Sequence, residues 1–364
     1  MAKFDSGRAP KTLAFVGPLP PPLNGFSNVT EKMLGLLREQ AAVEVFNRTW
    51  KADGRGLLTQ LLQVAKFAGA CCRGTRFTLY VALSGGWGQI FDSLYIIIAR
   101  VFRQRIFIHH HSFAYAHSSN VVNRLVHVLV KRQAHIVLSH GMGAALVQRY
   151  QLQPDKLIVV SNAAFFAEAA AGDCKSVLSD PKSPLRIGFL SNITFEKGFV
   201  EFFAVLDGLR RIGVQFQAVI AGPVDAAATE RFDNLRATAP EVTYLGAVYG
   251  KDKEQFYRDL DVFLFPTYYK NEAEPLVIHE SLRSGVYVIA NDRGAIAEIL
   301  SHGAGLVTQR ENFVSAAVGC IQTLNVDRNQ LRQRQRSASE QALKLREAGR
   351  VSLERVLHLI ASKS

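Results

Sequence analysis

Two successive series of strand-like and helix-like segments run along this chain, and this alternation constrains its fold more than any other feature. The first series opens at residues 11–17, KTLAFVG, an apolar run that ends in the turn-forming PLPPPLNG. A segment of helical spacing follows, with Ser27 or Asn28 as its predicted N-cap. The second series opens in the same way at LRIGFLSN, from Leu185. A buried strand, a glycine-containing loop and a helix begin a doubly wound domain with a parallel sheet, so the sequence predicts two α/β domains in tandem.

The length of 364 residues suits two domains better than one core, and the alternation is lost between the two series. We therefore expect an N-terminal domain over residues 1–172, a linker over 173–184 and a C-terminal domain over 185–345. A final helix, 346–364, is expected to pack back toward the N-terminal domain. Open α/β sheets bind ligands at the carboxyl ends of their strands, which predicts a ligand site in a cleft between the two domains.

The positive charge of the chain is concentrated in its first half. Residues 1–180 hold 20 basic and 10 acidic side chains, whereas the remainder holds 23 and 21. A basic half can face nucleic acid, anionic lipid or a phosphorylated substrate, or it can be a solvated surface with no partner. The sequence has no helix-turn-helix, zinc-binding or RNA-binding signature, so we expect no nucleic-acid partner.

Cysteine spacing and hydropathy bear on where such a chain would work. The four cysteines form no CxxC pair or zinc-type spacing, and the first residues lack the pattern of a signal peptide. No window approaches the roughly 20 uninterrupted apolar residues of a membrane span. We expect a cytoplasmic protein, and the sequence leaves open a peripheral contact with the inner face of the cell membrane.

A cluster of carboxylates stands at the predicted start of a helix in the second domain, in NEAEPLVIHE. Pro275 suits a first helical turn, so a helix is predicted from Leu276 up to Gly285. Glu280 then points back toward the helix start, and Glu272 lies in the preceding loop. Free amides at a helix start bind phosphate, while carboxylates accept sugar hydroxyls. The alternative is that the glutamates only complement the helix dipole.

A lysine stands at the matching edge of the first strand of the second domain. Lys197, in LSNITFEKGF, follows the strand RIGFL and precedes a predicted helix. Its flexible ammonium could reach a diphosphate at the carboxyl edge of the sheet. The alternative is an ordinary surface lysine.

These segments together resemble the retaining nucleotide-sugar glycosyltransferases of family four. The E-x7-E signature of that family matches Glu272 to Glu280, and its EKG segment matches residues 196–198. VTYLGAV, LSHGM and IVVSNAAFF resemble three further family segments, in the same order along the chain. The resemblance implies the GT-B fold, in which two Rossmann-like doubly wound domains face each other across a cleft. It also implies hexosyl transfer from a nucleoside-diphosphate sugar with retention at the anomeric carbon and without a metal.

The resemblance assigns roles to particular side chains. Glu272 would hold hydroxyls of the donor sugar, and Glu280 would hold the ribose. His111, with His110 as the next candidate, would lie near the donor sugar. The loop at Gly25 would touch the donor phosphates or the acceptor. The leaving diphosphate would be stabilised by Lys197, by the backbone amides of Leu276 and Val277, and by Asn192.

The sequence departs from the family pattern at two positions. Asn192 stands where the family usually has an arginine, so that charge is lost or comes from elsewhere, with Arg186 and Arg293 as candidates. Pro275 replaces a glycine and removes one backbone donor. The run HHH does not predict a metal site, because neighbouring side chains on a strand point to opposite faces. We expect no metal and no other cofactor.

The function expected from the sequence is transfer of a sugar to a glycan or lipid-linked glycan, in the synthesis of a bacterial surface polysaccharide or glycolipid. A basic N-terminal domain with apolar helices suits such an acceptor at an anionic membrane surface. Two alternatives remain open. One is a nucleotide-sugar epimerase of the same fold, and the other is a non-catalytic protein that binds nucleotide sugars.

Overall fold

The computed structural model describes residues 12–49, 56–86, 88–117, 121–167 and 183–362. Most of the predicted linker, 173–182, therefore lies outside the described residues. The chain forms two compact units. The first runs to Phe165 and also takes in residues from Ala348 onward, and the second runs from Phe166 to Glu347.

The first unit contains a parallel sheet of six strands in the order β2-β1-β3-β4-β5-β6. The strands are β1 (Thr12–Gly17), β2 (Ala42–Asn47), β3 (Phe77–Leu83), β4 (Arg105–His110), β5 (Ala134–Val137) and β6 (Leu157–Val159). The helices are α1 (Gly25–Gln40), α2 (Gly56–Cys72), α3 (Gly88–Val101), α4 (Ala114–His117), α5 (Val121–Val130) and α6 (His140–Tyr150). The central strands are buried on both faces, which is why β1 and β3 appear in the sequence as nearly continuous apolar runs.

The second unit repeats this architecture with the strand order β12-β11-β10-β7-β8-β9, again with parallel pairing throughout. The strands are β7 (Leu185–Leu190), β8 (Phe216–Ala221), β9 (Val242–Tyr244), β10 (Val262–Phe265), β11 (Tyr287–Asn291) and β12 (Gly305–Thr308). The helices are α7 (Phe199–Arg211), α8 (Thr229–Ala237), α9 (Gly250–Arg258), α10 (Leu276–Arg283), α11 (Ile296–Ile299), α12 (Phe313–Val326) and α13 (Arg328–Ala361). The division between the units falls within α13.

The predicted fold class, two doubly wound α/β domains with parallel sheets, is confirmed. The N-cap of α1 was predicted wrongly as Ser27 or Asn28. Asn24 is the N-cap: its side chain accepts a hydrogen bond from the amide of Ser27, and the Ser27 hydroxyl accepts one from the amide of Asn24. This reciprocal capping box starts the helix at Gly25, two residues before the predicted helical segment begins.

The order of the strands decides where a ligand can bind in the second unit. The chain moves from β7 to β8 and β9 in one direction, and then returns to place β10 on the other side of β7. The helices that follow β7 and β10 therefore pack on opposite faces of the sheet, and a crevice opens between the carboxyl ends of these two strands. Such a switch point is the usual ligand site of an open α/β sheet. No helix in the part of the chain that the structure describes is long and apolar enough to cross a membrane.

Candidate active site

The loops that follow β7 and β10 are held together at the switch point. Gly198 has a φ of +84°, and a Cβ there would lie 2.4 Å from the carbonyl oxygen of Pro266. The amide of Tyr268 donates to the carbonyl of Glu196 at 2.8 Å. Only glycine allows this backbone approach, so the conformation of Gly198 sets the position of Lys197 beside the β10 loop.

We expect Gly198→Ala to destabilise the second unit by about 1–3 kcal/mol, because it combines a left-handed φ with a backbone clash. Urea unfolding of the purified chain measures the change. Gly213→Ala is the matched control, because Gly213 also has a positive φ, +73°, but a Cβ there meets no heavy atom within 4 Å. An equal loss in the two variants would show that the approach to Pro266 is unimportant.

Lys197 and Glu272, which are two of the charged groups predicted to hold the donor, contact each other. Lys197 Nζ lies 2.5 Å from Glu272 Oε2, and their side chains are only 19% and 10% exposed. The Thr267 hydroxyl donates to the same carboxylate oxygen at 3.1 Å. The ammonium also lies 4.7 Å from the centre of the Tyr269 ring. An ammonium and a carboxylate in this contact form a preorganised site with one cationic and one hydroxyl-accepting group.

The side chain of Glu280 is fixed by two contacts with residues of α9. Its two carboxylate oxygens contact Lys253 Nζ at 2.7 Å and the Tyr257 hydroxyl at 3.0 Å. Burial, reinforced by the charge of Glu280, raises the pKa of Tyr257 well above its ordinary value of 10, so the phenol donates. A carboxylate has about four acceptor positions, so Glu280 can still accept ribose hydroxyls while these two contacts fix its orientation. Sequence reasoning missed Lys253 and Tyr257, although their i,i+4 spacing places both on one face of a helix.

The start of α10 presents backbone amides beside these groups. Pro275 is the N-cap and makes no side-chain capping bond, so no cap side chain satisfies the amides of Leu276 and Val277. Glu274, in the same loop, has a different role. It is buried, and His279 Nε2 lies 2.9 Å from its Oε1, which ties the loop to α10. Of the three carboxylates in the predicted cluster, Glu274 is therefore structural, whereas Glu272 and Glu280 line the candidate site.

Asn192, which stands where the family usually has an arginine, is exposed just after β7. The two arginines proposed to supply the missing charge lie at opposite edges of the sheet. Arg186 lies at the start of β7, at the opposite end from Lys197, and its nearest acidic partner is Asp259 at 3.9 Å. Arg186 is therefore wrong as a diphosphate ligand. Arg293 is exposed in the turn after β11, and the amide of Ala295 in that turn donates to the carbonyl of Ala273 at 2.7 Å. Arg293 thus stands at the correct edge, beside the Glu272 loop.

In the first unit, His111 directly follows β4 at the carboxyl edge of that sheet. The residue is partly exposed, although its Nε2 is buried, and its ring lies 4.6 Å from the ring of Phe26 and 4.1 Å from that of His109. Burial lowers its pKa well below 6.5, so the imidazole is neutral. His110, in contrast, is buried and hydrogen-bonded to Tyr115. The geometry therefore favours His111 as the ligand contact of this pair.

Gly25 directly precedes Phe26, the residue whose ring contacts His111. Gly25 is exposed and is the first residue of α1, at the carboxyl edge of β1. For metal binding, the described residues contain no group of three or more His, Cys, Asp or Glu side chains placed to hold an ion.

Comparison with known families identifies the second half of the chain. Residues 174–342, which include Lys197, Glu272 and Glu280, match the family Glycosyl transferases group 1. This second half of the chain is a group 1 glycosyl transferase domain. A curated member, a GDP-mannose-dependent alpha-mannosyltransferase of Mycobacterium tuberculosis, is 27% identical over 143 residues. That match covers 39% of this chain and 35% of the relative.

Solved structures show that the fold of this family member is GT-B. Anabaena Alr3699/HepE in complex with UDP superposes with a TM-score of 0.70 at 18% identity, over 95% of this chain and 99% of the other. WaaG, a glycosyltransferase involved in lipopolysaccharide biosynthesis, gives a TM-score of 0.66 at 11% identity, over 97% and 100% of the two chains. The predicted family and GT-B fold are confirmed, whereas the individual site residues stay predictions.

Proposed function

We propose that this protein transfers a hexose from a nucleoside-diphosphate sugar to a glycan or lipid-linked glycan, with retention at the anomeric carbon. The observation that carries the proposal is the contact of Lys197 with Glu272 at the switch point of the second sheet. A diphosphate needs a cation and free amides, and a sugar needs hydroxyl acceptors. Lys197, the start of α10, Glu272 and Glu280 supply these groups within one stretch of the sheet edge.

The mechanism follows from where charge develops. As the bond between the sugar and the diphosphate breaks, negative charge grows on the leaving oxygen. Lys197 and the amides of Leu276 and Val277 stabilise that charge, together with Asn192 and Arg293. The ammonium is partly buried, so its interaction with the diphosphate is stronger than it would be in water.

The donor sugar is held by groups that accept or donate hydrogen bonds without carrying positive charge. Glu272 accepts bonds from its hydroxyls and Glu280 from those of the ribose. In the first unit, the neutral His111 is assigned a hydrogen bond to a substrate hydroxyl, and the loop at Gly25 a backbone contact. Among the residues that the structure describes, no carboxylate stands out as a nucleophile, so the acceptor is proposed to attack from the side of the leaving diphosphate, whose oxygen takes its proton.

The biological setting is part of the same proposal. WaaG is described as acting in lipopolysaccharide biosynthesis, and a lipopolysaccharide outer core galactosyltransferase, WaaB, has a similar fold with a TM-score of 0.66. Together with the basic first half of the chain, this supports an acceptor used in bacterial surface polysaccharide or glycolipid synthesis, on the cytoplasmic side of the membrane.

A thermal-shift screen against UDP, GDP, ADP and their sugars tests the proposal. A ligand at 100 times its Kd stabilises the folded chain by about 2.7 kcal/mol, which moves the melting temperature by several degrees. We expect one nucleoside diphosphate and its sugar to stand out, and transfer of that sugar to retain its configuration by NMR. Binding without turnover on any glycan would support a non-catalytic binder, and inversion at C2 of the sugar would support an epimerase. A flat screen would contradict all three readings.

We expect Lys253→Met to weaken binding of the nucleotide about 5- to 10-fold, at nearly unchanged kcat, because Glu280 loses the contact that fixes its orientation. Isothermal titration with the nucleotide found in the screen measures the Kd. Lys251→Met is the matched control, since Lys251 is an exposed lysine two residues earlier on α9. Equal effects of the two changes would mean that Lys253 acts only through the overall charge.

A further inference from the structure

Exposed apolar side chains are concentrated on one layer of the first unit. Among the described residues, 18 large hydrophobic side chains are exposed, and ten of them lie on α2, α3, α5 or the turn after α3. On α2 they are Leu57, Leu58, Leu61 and Leu62, with 50%, 59%, 47% and 61% of their surface exposed. On α5 they are Val121, Leu125 and Val128, with 81%, 51% and 68% exposed.

These side chains share one surface. Along α2 and along α5 they recur at spacings of three or four residues, which places them on one side of each helix. The chain crosses the sheet in one direction from β2 to β5, and right-handed crossovers place the intervening helices on the same face. α3 contacts both α2 and α5, so it lies between them. We call the outward surface of these three helices the α2–α3–α5 face.

The charge of this part of the chain has one sign. Residues 54–154 contain 11 basic side chains and a single acidic one, Asp92. Asp92 is fully buried and lies 2.5 Å from the guanidinium of Arg48, which is 5% exposed. It also accepts hydrogen bonds from the backbone and hydroxyl of Ser84. The α2–α3–α5 face therefore presents no carboxylate of its own helices.

The basic side chains gather at one edge of the face. All three helices run against the strand direction, so their C-terminal ends meet at the amino edge of the sheet. This edge lies opposite the carboxyl edge, where His111 and Gly25 lie. The exposed basic residues at these helix ends are Arg73, Arg76, Arg100, Arg103 and Arg132.

We infer that the α2–α3–α5 face binds the surface of an anionic lipid bilayer. Exposed leucine and valine side chains spread over three side-by-side helices can enter the acyl boundary, while a basic edge contacts lipid phosphates. A second copy of the chain is disfavoured as the occupant, because two such faces would bring like charges together. A nucleic acid would use the basic edge but leave the leucines exposed. This inference extends beyond the proposed reaction and does not require it.

Co-sedimentation of the full chain with lipid vesicles tests the inference. We expect binding to vesicles that contain phosphatidylglycerol, weak binding to phosphatidylcholine alone, and loss of binding at high salt. Leu58→Glu combined with Leu62→Glu should reduce the bound fraction at least tenfold. Val326→Glu combined with Leu343→Glu is the matched control, because both residues are exposed, at 83% and 52%, in the second unit. Arg73→Glu with Arg132→Glu should lower binding about 25-fold or more, at roughly a fivefold loss for each arginine, and the exposed Arg336→Glu should not.

Two further readouts separate the possible failures. Circular dichroism and stabilisation by the nucleotide found in the screen should be unchanged in the face variants, because the nucleotide residues lie in the second unit. Vesicle binding without any nucleotide binding would support the face and contradict the proposed function. Nucleotide binding without vesicle binding would support the nucleotide site of the proposed function and contradict the inference about the α2–α3–α5 face. A dimer by light scattering that Leu58→Glu with Leu62→Glu converts to a monomer would overturn the inference in favour of self-association.

Discussion

Replacing Lys197 with alanine is expected to lower kcat/KM for sugar transfer by about 100- to 1000-fold, the usual cost of removing one preorganised donor to developing negative charge. The stabilisation of the chain by nucleoside diphosphates should disappear in the same variant. Both effects follow from the position of this ammonium at the switch point, partly buried and 2.5 Å from Glu272. Initial-rate kinetics and the thermal-shift assay measure them.

The control for this change is Lys251→Ala, which removes an exposed lysine from the same unit. It should leave both assays within twofold of the parent. If Lys197→Ala retained nucleotide binding and turnover, the diphosphate would have to bind elsewhere, and the proposed site would be wrong.

The contact of Lys197 with Glu272 also predicts that their replacements do not add. In Lys197→Ala alone, the Glu272 carboxylate loses its partner and repels the diphosphate. Adding Glu272→Gln removes that repulsion, so the double variant should bind nucleotide more tightly than Lys197→Ala while turnover stays low. Residues in direct contact commonly show coupling of about 0.5–3 kcal/mol, and calorimetric titration of the four proteins measures it. Strictly additive losses would mean that the contact has no role in binding.

The sequence could predict those parts of the site that depend on residues close together along the chain. The start of α10 followed from Pro275, and the structure begins the helix at Leu276 as predicted. The strand before Lys197 was visible because a strand buried on both faces leaves an unbroken apolar run. The edge strand β2 was not predicted, since most of its residues are only partly buried and Glu44 interrupts its apolar run.

The contacts within the site could not be predicted from the sequence in this way. Lys197 and Glu272 are 75 positions apart, and they meet only because β7 and β10 are neighbours in the sheet. Patterns of neighbouring residues do not reveal the order of the strands in the sheet. The structural role of Glu274 has a different, local origin, because its partner His279 is only five positions away and meets it when α10 packs on the loop that precedes the helix.

The first unit contains a buried chain of hydrogen bonds whose protons can be assigned. His135 Nε2 lies 3.1 Å from the carbonyl of Val130, which can only accept, so this nitrogen carries the proton. In the neutral ring, His135 Nδ1 then accepts from His110 Nε2 at 3.0 Å. His110 Nδ1 in turn accepts from the Tyr115 hydroxyl at 3.0 Å. A further proton on His135 would set a donor against a donor, so this chain requires neutral imidazoles.

The first unit is therefore expected to lose stability steeply as the pH falls below about 6.5. Burial lowers the pKa of His127 and of His135 to about 4 in the folded chain. Between the unfolded value of about 6.5 and 4, the unfolded chain binds protons that the folded chain does not. Stability is full above 6.5, and each such histidine removes about 1.4 kcal/mol per pH unit below it. Urea unfolding at about pH 7.5, 6.5 and 5.5 measures this slope.

His127→Phe isolates one titrating group from this cluster. The phenyl ring can keep the stack on Tyr150, whose ring centre lies 3.9 Å away, but it binds no proton. Whatever its effect at neutral pH, this variant should show a slope smaller by about 1.4 kcal/mol per pH unit. His302→Asn, at an exposed position of the second unit, should leave the slope unchanged. A parental slope in His127→Phe would show that His127 is protonated equally in both states, because the slope depends only on the difference in bound protons between the unfolded and folded chains.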